Sequence, residues 1–179
     1  GLSQAHVVVA PSRFLLRTYA AAGFLAGATV EVLSLGTSGP LHKPRSRHGG
    51  KLRLGFVGDA EPEHGLRVLL DALAQLPRAP LELHVHPTTT WTSAALAELR
   101  ARAHGLAVEF HGRVPPLHAE AAFASFDVLV VPNLAYENGL AAIGDAFRCG
   151  VPVIASELGG TPELVRDGIN GLVVPPGDA

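Results

Sequence analysis

The chain predicts an α/β fold, a doubly wound and mostly parallel six-strand sheet with helices packed on it. Two observations lead there. From Lys51 onward six short apolar runs recur: LRLGFVG at 52–58, LELHVH at 81–86, AVEFHG at 107–112, DVLVVP at 127–132, VPVIAS at 151–156 and GLVVP at 171–175. Segments with helical spacing of apolar residues separate them, and such alternation is the pattern of strand-helix-strand units joined into a parallel sheet. The second observation is composition. With 179 residues, 47% hydrophobic and 17% charged, and a mean hydropathy of +0.27, the chain has material for one well-buried domain and is neither disordered nor fibrous.

In chain order, HVVVA at 6–10 predicts a buried strand, Pro11-Ser12 a turn, RFLLRTYAAAG at 13–23 a helix ending at Gly23, and TVEVLSLG at 29–36 a second strand. The stretch SGPLHKPRSRHGG at 38–50, rich in Pro, Gly, Ser and basic residues, predicts a solvated hinge. Leu66, Leu69, Leu70 and Leu73 mark one face of a core helix that Pro77 ends. Ser93 to His104 predicts a helix with Leu96, Leu99 and Ala103 inward and Gly105 as its stop. Thr161-Pro162-Glu163 predicts a helix start, with Thr161 as cap and Pro162 in the first turn.

A formal net charge of -2 and a pI near 6.5 leave no broad basic footprint, so nucleic acid is not an expected partner. No apolar run is long enough to span a bilayer; the best candidate, residues 19–30, is short, alanine-rich and interrupted by glycine. The single cysteine, Cys149, excludes an internal disulfide framework and, beside Gly150 at the end of an apolar helix, reads as a small buried thiol. His84 and His86 share one strand face, but i, i+2 pairs do not by themselves converge on an ion, so no metal is expected. The spacings of a dinucleotide fingerprint, a phosphate-binding P-loop and a nucleophile elbow are all absent.

The densest chemistry lies in PNLAYENGLAAIGDAFRCGVPVI at 132–154. Glu137 precedes a short apolar helix opened by Asn138-Gly139, and Asp145 follows eight positions on, about 12 Å along a helix axis at 1.5 Å per residue. The backbone N–H groups of Gly139, Leu140 and Ala141 lie between the two acids and form a ready anion site. Two readings follow: hydroxyl-binding acids flanking a diphosphate cradle, or, as the pair alone favours, Glu137 complementing the positive end of the helix with Asp145 a solvated helix position. In doubly wound sheets ligands sit beyond the carboxyl ends of the strands, where strand order reverses, so the loops carrying Gly58, Gly112 and Glu137 should form the site.

Together with three further blocks, LRLGFVGDAEPEHGLRVLLDAL from Leu52, VEFHGRV from Val108 and GGTPELVRDGINGLVVPPGD from Gly159, this stretch resembles the donor-binding, C-terminal domain of family 4 retaining glycosyltransferases of the GT-B fold. The resemblance implies a Rossmann-like sheet forming one half of such an enzyme. It divides the chain into 1–40, the tail of an acceptor-side domain, a linker at 41–50, and a donor-binding domain at 51–179 that lacks the C-terminal helix expected after Gly177-Asp178. It implies transfer of a sugar from a nucleotide-sugar donor of the UDP or GDP type, with retention, to an unidentified acceptor held by a missing N-terminal domain. Glu137 would be catalytic and hold donor-sugar hydroxyls; Asp145 would hold the ribose; Gly58, His64, Asn138, Gly139, Leu140 and Ala141 would surround the diphosphate; Arg113 and Val114 would line the base pocket. The location implied is cytoplasmic, with peripheral membrane association of the full protein through its other domain.

The family's E-x7-E signature has aspartate, Asp145, in its second place here, and the first loop has Asp59 and His64 where relatives carry arginine and lysine. A conditional charge and an anion in place of two permanent cations weaken diphosphate binding. Arg67, one helical turn beyond His64, is the cation that could compensate by turning toward the cleft. The same departures support the alternative of a degenerate nucleotide-sugar-binding or partner subunit without turnover. HVHPTTTW, from His84, also departs from the family, which continues there with glycines.

Overall fold

The computed structural model describes residues 5–34, 36–37, 50–113, 119–136 and 141–178. Among them are two parallel sheets. The smaller pairs β1 (Val7–Ala10) with β2 (Thr29–Val32), and α1 (Arg13–Ala21) makes the crossover. Ser12 starts α1 by accepting a hydrogen bond at Oγ from the Leu15 N–H, 3.1 Å. The expected hinge at 38–50, with the linker at 41–50, falls, apart from Gly50, outside the described residues.

The larger sheet has the six strands that the apolar runs predict: β3 (Leu52–Gly58), β4 (Leu81–Pro87), β5 (Val108–Phe110), β6 (Val128–Val131), β7 (Val153–Ser156) and β8 (Gly171–Val174). They lie in the order β5-β4-β3-β6-β7-β8, and every pair is parallel. The chain winds outward from β3 to β5, returns to the centre at β6 and winds outward the other way. That makes a doubly wound sheet with its switch point between β3 and β6.

Strand alternation assigns the two faces. Leu54 and Phe56 of β3, with Leu83 and Val85 of β4, meet α2 (Leu66–Ala74) and α3 (Ser93–Arg102) through Leu66, Leu69, Leu70 and Leu99. A fully buried leucine contributes about 1.5–3 kcal/mol, so this leucine stripe anchors one layer. The opposite layer packs Phe123 of α4 (Ala119–Phe123) and Phe126 with Ile143 and Ala146 of α5 (Ala141–Arg148) against Leu129 and Val153. Gly55 belongs to this second face, where a Cβ would sit 2.2 Å from the Phe126 ring. Cys149 is buried in the same cluster, and burial raises its thiol pKa, as a packing role requires.

Two expectations change. The strand predicted as buried at 6–10 forms β1 but leaves Val7 and Val9 more than half exposed, since α1 buries no residue against it. Thr161 does not cap α6 (Thr161–Leu164); Gly160 takes that position without a side-chain bond, and Thr161 is buried inside the turn. Glu163 of α6 instead turns its carboxylate to the start of α1, accepting from the N–H groups of Arg13 at 2.9 Å and Phe14 at 2.8 Å. These are two of the donors a helix leaves unsatisfied at its N-terminus. Gly160 lies against Ser12, a Cβ there meeting the Ser12 Cβ at 2.9 Å, so the small sheet docks on the large one through this corner.

Candidate functional site

The central seam of the large sheet is short. β3 and β6 pair only at Leu54↔Val128 and Gly55↔Leu129. Below these pairs the seam is pinned by Arg53 and Asp127. The Arg53 N–H and Nε donate to Asp127 Oδ2 at 2.9 and 3.3 Å, and the Asp127 N–H donates to the Arg53 carbonyl at 2.8 Å. Above the pairs, the carboxyl ends of the two strands border a cleft of about 160 Å³. Its lining includes Val57, Gly58, His64, Thr88, Val131, Asn133, Ala141 and Ala142.

The loop after β3 is built around a close approach. Pro62–His64 forms a short 3-10 turn that ends on Gly65 with φ +71°. A Cβ at Gly65 would come within 1.8 Å of the Pro132 carbonyl oxygen, so only glycine serves both the backbone twist and the contact. The Leu134 N–H completes the join by donating to the Glu63 carbonyl at 2.7 Å. Together these bonds seat the His64 turn on the loop after β6 and place His64 at the cleft wall.

Two charged residues, Asp59 of this loop and Arg67 in the first turn of α2, are committed elsewhere. Asp59 Oδ1 accepts from the Thr89 N–H at 2.9 Å and the Thr89 hydroxyl at 2.8 Å. Burial works to raise its pKa, but the bonds from Thr89 and Thr88 outweigh that and hold the carboxyl below its ordinary range. The Thr88-Thr89 stretch that departs from the family pattern thus satisfies the acid that also departs from it. Arg67 does not turn toward the cleft, as the sequence allowed. Its guanidinium donates to Glu98 of α3 at 2.5 and 3.2 Å and to the Ala60 carbonyl at 2.7 Å.

Of the residues singled out in the sequence, Gly58, His64 and Ala141 meet at the cleft. Arg113 is exposed just beyond β5. Asp145 sits on α5, its Oδ1 3.5 Å from the Arg148 guanidinium, which is buried and also bonds Glu120 at 2.5 Å. Hydrogen bonding to Glu120 raises the Arg148 pKa further, so the buried group keeps its charge. Glu137, Asn138, Gly139, Leu140 and Val114 lie outside the described residues. Sequence reasoning missed Asn133, which is 7% exposed and lines the cleft, and Thr88. The signal for Asn133 was a lone amide directly after an apolar strand and Pro132, at the carboxyl end where such sheets bind ligands.

Among the described residues, two groups of side chains present metal-ligating atoms within 4.8 Å of one another: Asp59, Glu61 and His64 after β3, and His84, Glu109 and His111 on the β4–β5 edge. The histidines of β4 are not ordinary strand-end residues. His86 stacks flat on His111, ring centroids 4.3 Å apart. Burial first, then the neighbouring His111 and His84, push the His86 pKa down to about 4, which keeps the ring neutral.

With this geometry in view, comparison with known proteins decides the family. The sequence profile described as Glycosyl transferases group 1 matches residues 51–179. The chain belongs to that family. It is 29% identical over 159 residues to D-inositol 3-phosphate glycosyltransferase of Mycobacterium bovis, covering 82% of this chain and 33% of the relative. Among solved structures, Anabaena Alr3699/HepE in complex with UDP superimposes with a TM-score of 0.81 at 25% identity, over 97% of this chain and 51% of that one. Sucrose-phosphate synthase from Thermosynechococcus elongatus gives 0.79 at 26%, over 98% and 46%. The chain therefore spans a third of the curated relative and about half of each of these two structures. Among the described residues no Lys or Arg contributes to the cleft lining. No helix of the described residues is long and apolar enough to cross a membrane.

Proposed function

We propose that the protein containing this chain transfers a sugar from a nucleotide-sugar donor of the UDP or GDP type to an acceptor, with retention at the anomeric carbon. Residues 51–179 are the donor-binding half, 41–50 a linker, and 1–40 the end of the acceptor-side half. In the reaction the bond from the anomeric carbon to the diphosphate oxygen breaks with its electron pair going to the diphosphate, a bond to the acceptor oxygen forms, and the acceptor proton passes to the departing diphosphate. The observation that carries this reading is the cleft at the switch point, walled by Gly58, His64, Asn133 and Ala141, in a fold shared with Anabaena Alr3699/HepE, which was solved with UDP.

Each residue then has a physical task. Charge building on the departing diphosphate is stabilised by backbone N–H groups at Gly139, Leu140 and Ala141, with Asn138 at the turn, and by His64 from the facing loop. Glu137 holds donor-sugar hydroxyls at the reacting centre. Asp145 reaches toward the ribose, and its contact with the Arg148 guanidinium at 3.5 Å orients it. Arg113 and Val114 border the base. The transfer as read calls for no metal, and it belongs in the cytoplasm, with membrane association through the other domain.

A second reading is favoured by one observation. Arg67 is bound to Glu98 and the cleft lining carries no permanent cation among the described residues, which suits a donor-binding or partner subunit without turnover. Thermal unfolding with UDP, GDP and their sugar conjugates separates the two, since a ligand at a hundred times its Kd adds about 2.7 kcal/mol. A shift with one nucleotide series, abolished in Glu137→Ala and reduced in Asp145→Ala, supports donor binding. Sugar transfer by the full-length protein, lost in Glu137→Ala, then supports the enzyme over the subunit. No shift with any nucleotide on folded protein sinks the donor-site reading.

A further inference from the structure

On the β4–β5 edge, outside the cleft lining, three side chains converge as metal ligands do. His84 comes from β4. Glu109, its register partner on β5, and His111, just beyond that strand, come from the neighbouring segment. His84 Nδ1 lies 3.0 Å from His111 Nε2, and Glu109 Oε2 lies 3.6 Å from each of these nitrogens. The circle through three points with these separations has a radius of about 2.0 Å, which is the bond length zinc makes to imidazole nitrogen and carboxylate oxygen. A single ion at that centre reaches all three atoms without moving any of them.

The surroundings supply what such a site needs. His84 Nε2 is 3.3 Å from Glu82 Oε1; in the tautomer with the proton on this nitrogen, Nδ1 turns its lone pair to the centre, and an ion there takes the place of the proton between Nδ1 and His111 Nε2. A carboxylate behind a ligating histidine is the recurring way metal sites fix tautomer and orientation. His86, stacked 4.3 Å above His111 with the rings 2° from parallel, fixes the plane of the second imidazole. Glu109 is largely exposed, which leaves a coordination position open to water.

We propose that His84, Glu109 and His111 form a binding site for a transition-metal dication, with zinc as the ion its chemistry favours. Two imidazole nitrogens and one carboxylate suit zinc, cobalt or nickel and not magnesium or calcium, which take oxygen shells. The ion ties the three-residue edge strand β5 to β4 and so steadies the loop that carries Gly112 and Arg113. The site is independent of the sugar-transfer reading, because none of its residues lines the cleft.

Cobalt titration of the chelator-treated, tag-free chain, followed through the visible absorption of four-coordinate cobalt and reversed by zinc, tests this. The expected result is one ion per chain, a zinc-dependent rise in Tm, and loss of both in His84→Gln and His111→Gln. Glu82→Gln should bind about ten- to a hundredfold more weakly. His104→Gln, altered at an exposed histidine, should bind like the parent. His111→Gln, at a part-exposed position past the strand, keeps the test sound if His84→Gln unfolds. The proposal is overturned if the folded parent takes up no stoichiometric metal, or if uptake survives unchanged in His111→Gln, which would move the ion to the Asp59, Glu61 and His64 group or to scattered surface sites.

Discussion

The chain contains two versions of the same unit, a strand, a helix and a parallel strand, and they differ in what covers them. In β3-α2-β4 the residues Phe56, Leu70, Leu83 and Val85 are at most 2% exposed. In β1-α1-β2 the helix buries no residue, and Val7 and Val9 are 51% and 54% exposed. Both have apolar strands and well-formed parallel registers. Local sequence thus suffices to write the unit, while its stability comes from layers on both faces, which parallel sheets require. The smaller unit borrows its order from the larger through Glu163, Gly160 and a Phe14–Tyr136 ring contact at 4.8 Å.

The largest effect that sharpens this contrast is core truncation. Leu70→Ala should cost about 2–5 kcal/mol in denaturant unfolding, whereas Val9→Ala should stay within about 0.5 kcal/mol. Equal losses would mean that the small sheet is as well packed as the large one. Next comes Gly65→Ala, where the left-handed backbone alone costs about 1–3 kcal/mol and overlap with Pro132 adds to it. A variant as stable as the parent would show that the two loops do not touch as described. Glu163→Ala should cost about 1 kcal/mol, as loss of a helix cap does. Its mark is faster hydrogen exchange in α1 with β3 and β4 unchanged; uniform acceleration would show that the units unfold together.

The smallest effect is that of Asp59. Its pKa is depressed by the Thr89 bonds, so its contribution is present above the unfolded value, near 3.8, and is lost as pH falls through the lower folded value. Unfolding of Asp59→Asn should track the parent in strong acid and fall below it at neutral pH. A constant difference at every pH would rule out the charged hydrogen bonds as the cause.

Most of the fold was legible because it is written in local patterns. Six apolar runs became six strands, and the Leu66, Leu69, Leu70 stripe became the buried face of α2. The switch point followed, and with it the cleft at Gly58 and Ala141. Pairings across the fold were not legible. That Asp59 meets Thr89 and Arg67 meets Glu98 depends on how two strand-helix units pack, which no periodicity reports. His84 was read beside His86 because they share a strand face, yet its bonding partner is His111, brought alongside by the β4–β5 register. Asn133 hid for the same reason, since its burial is set by the walls of the cleft rather than by its neighbours in sequence.

The short seam between β3 and β6 also has a kinetic meaning. Arg53 and Asp127, which close it, are 74 positions apart, so this is a long loop to close and it gains only two register pairs. Each flank can wind on its own helices first, since β3 with β4 and β6 with β7 join through nearer segments. Long-range parallel pairing slows folding, and here it makes the joining of two preformed half-sheets the late step. The cleft then comes into being only when that step is complete, so recovery of ligand binding during refolding should lag behind recovery of helical signal.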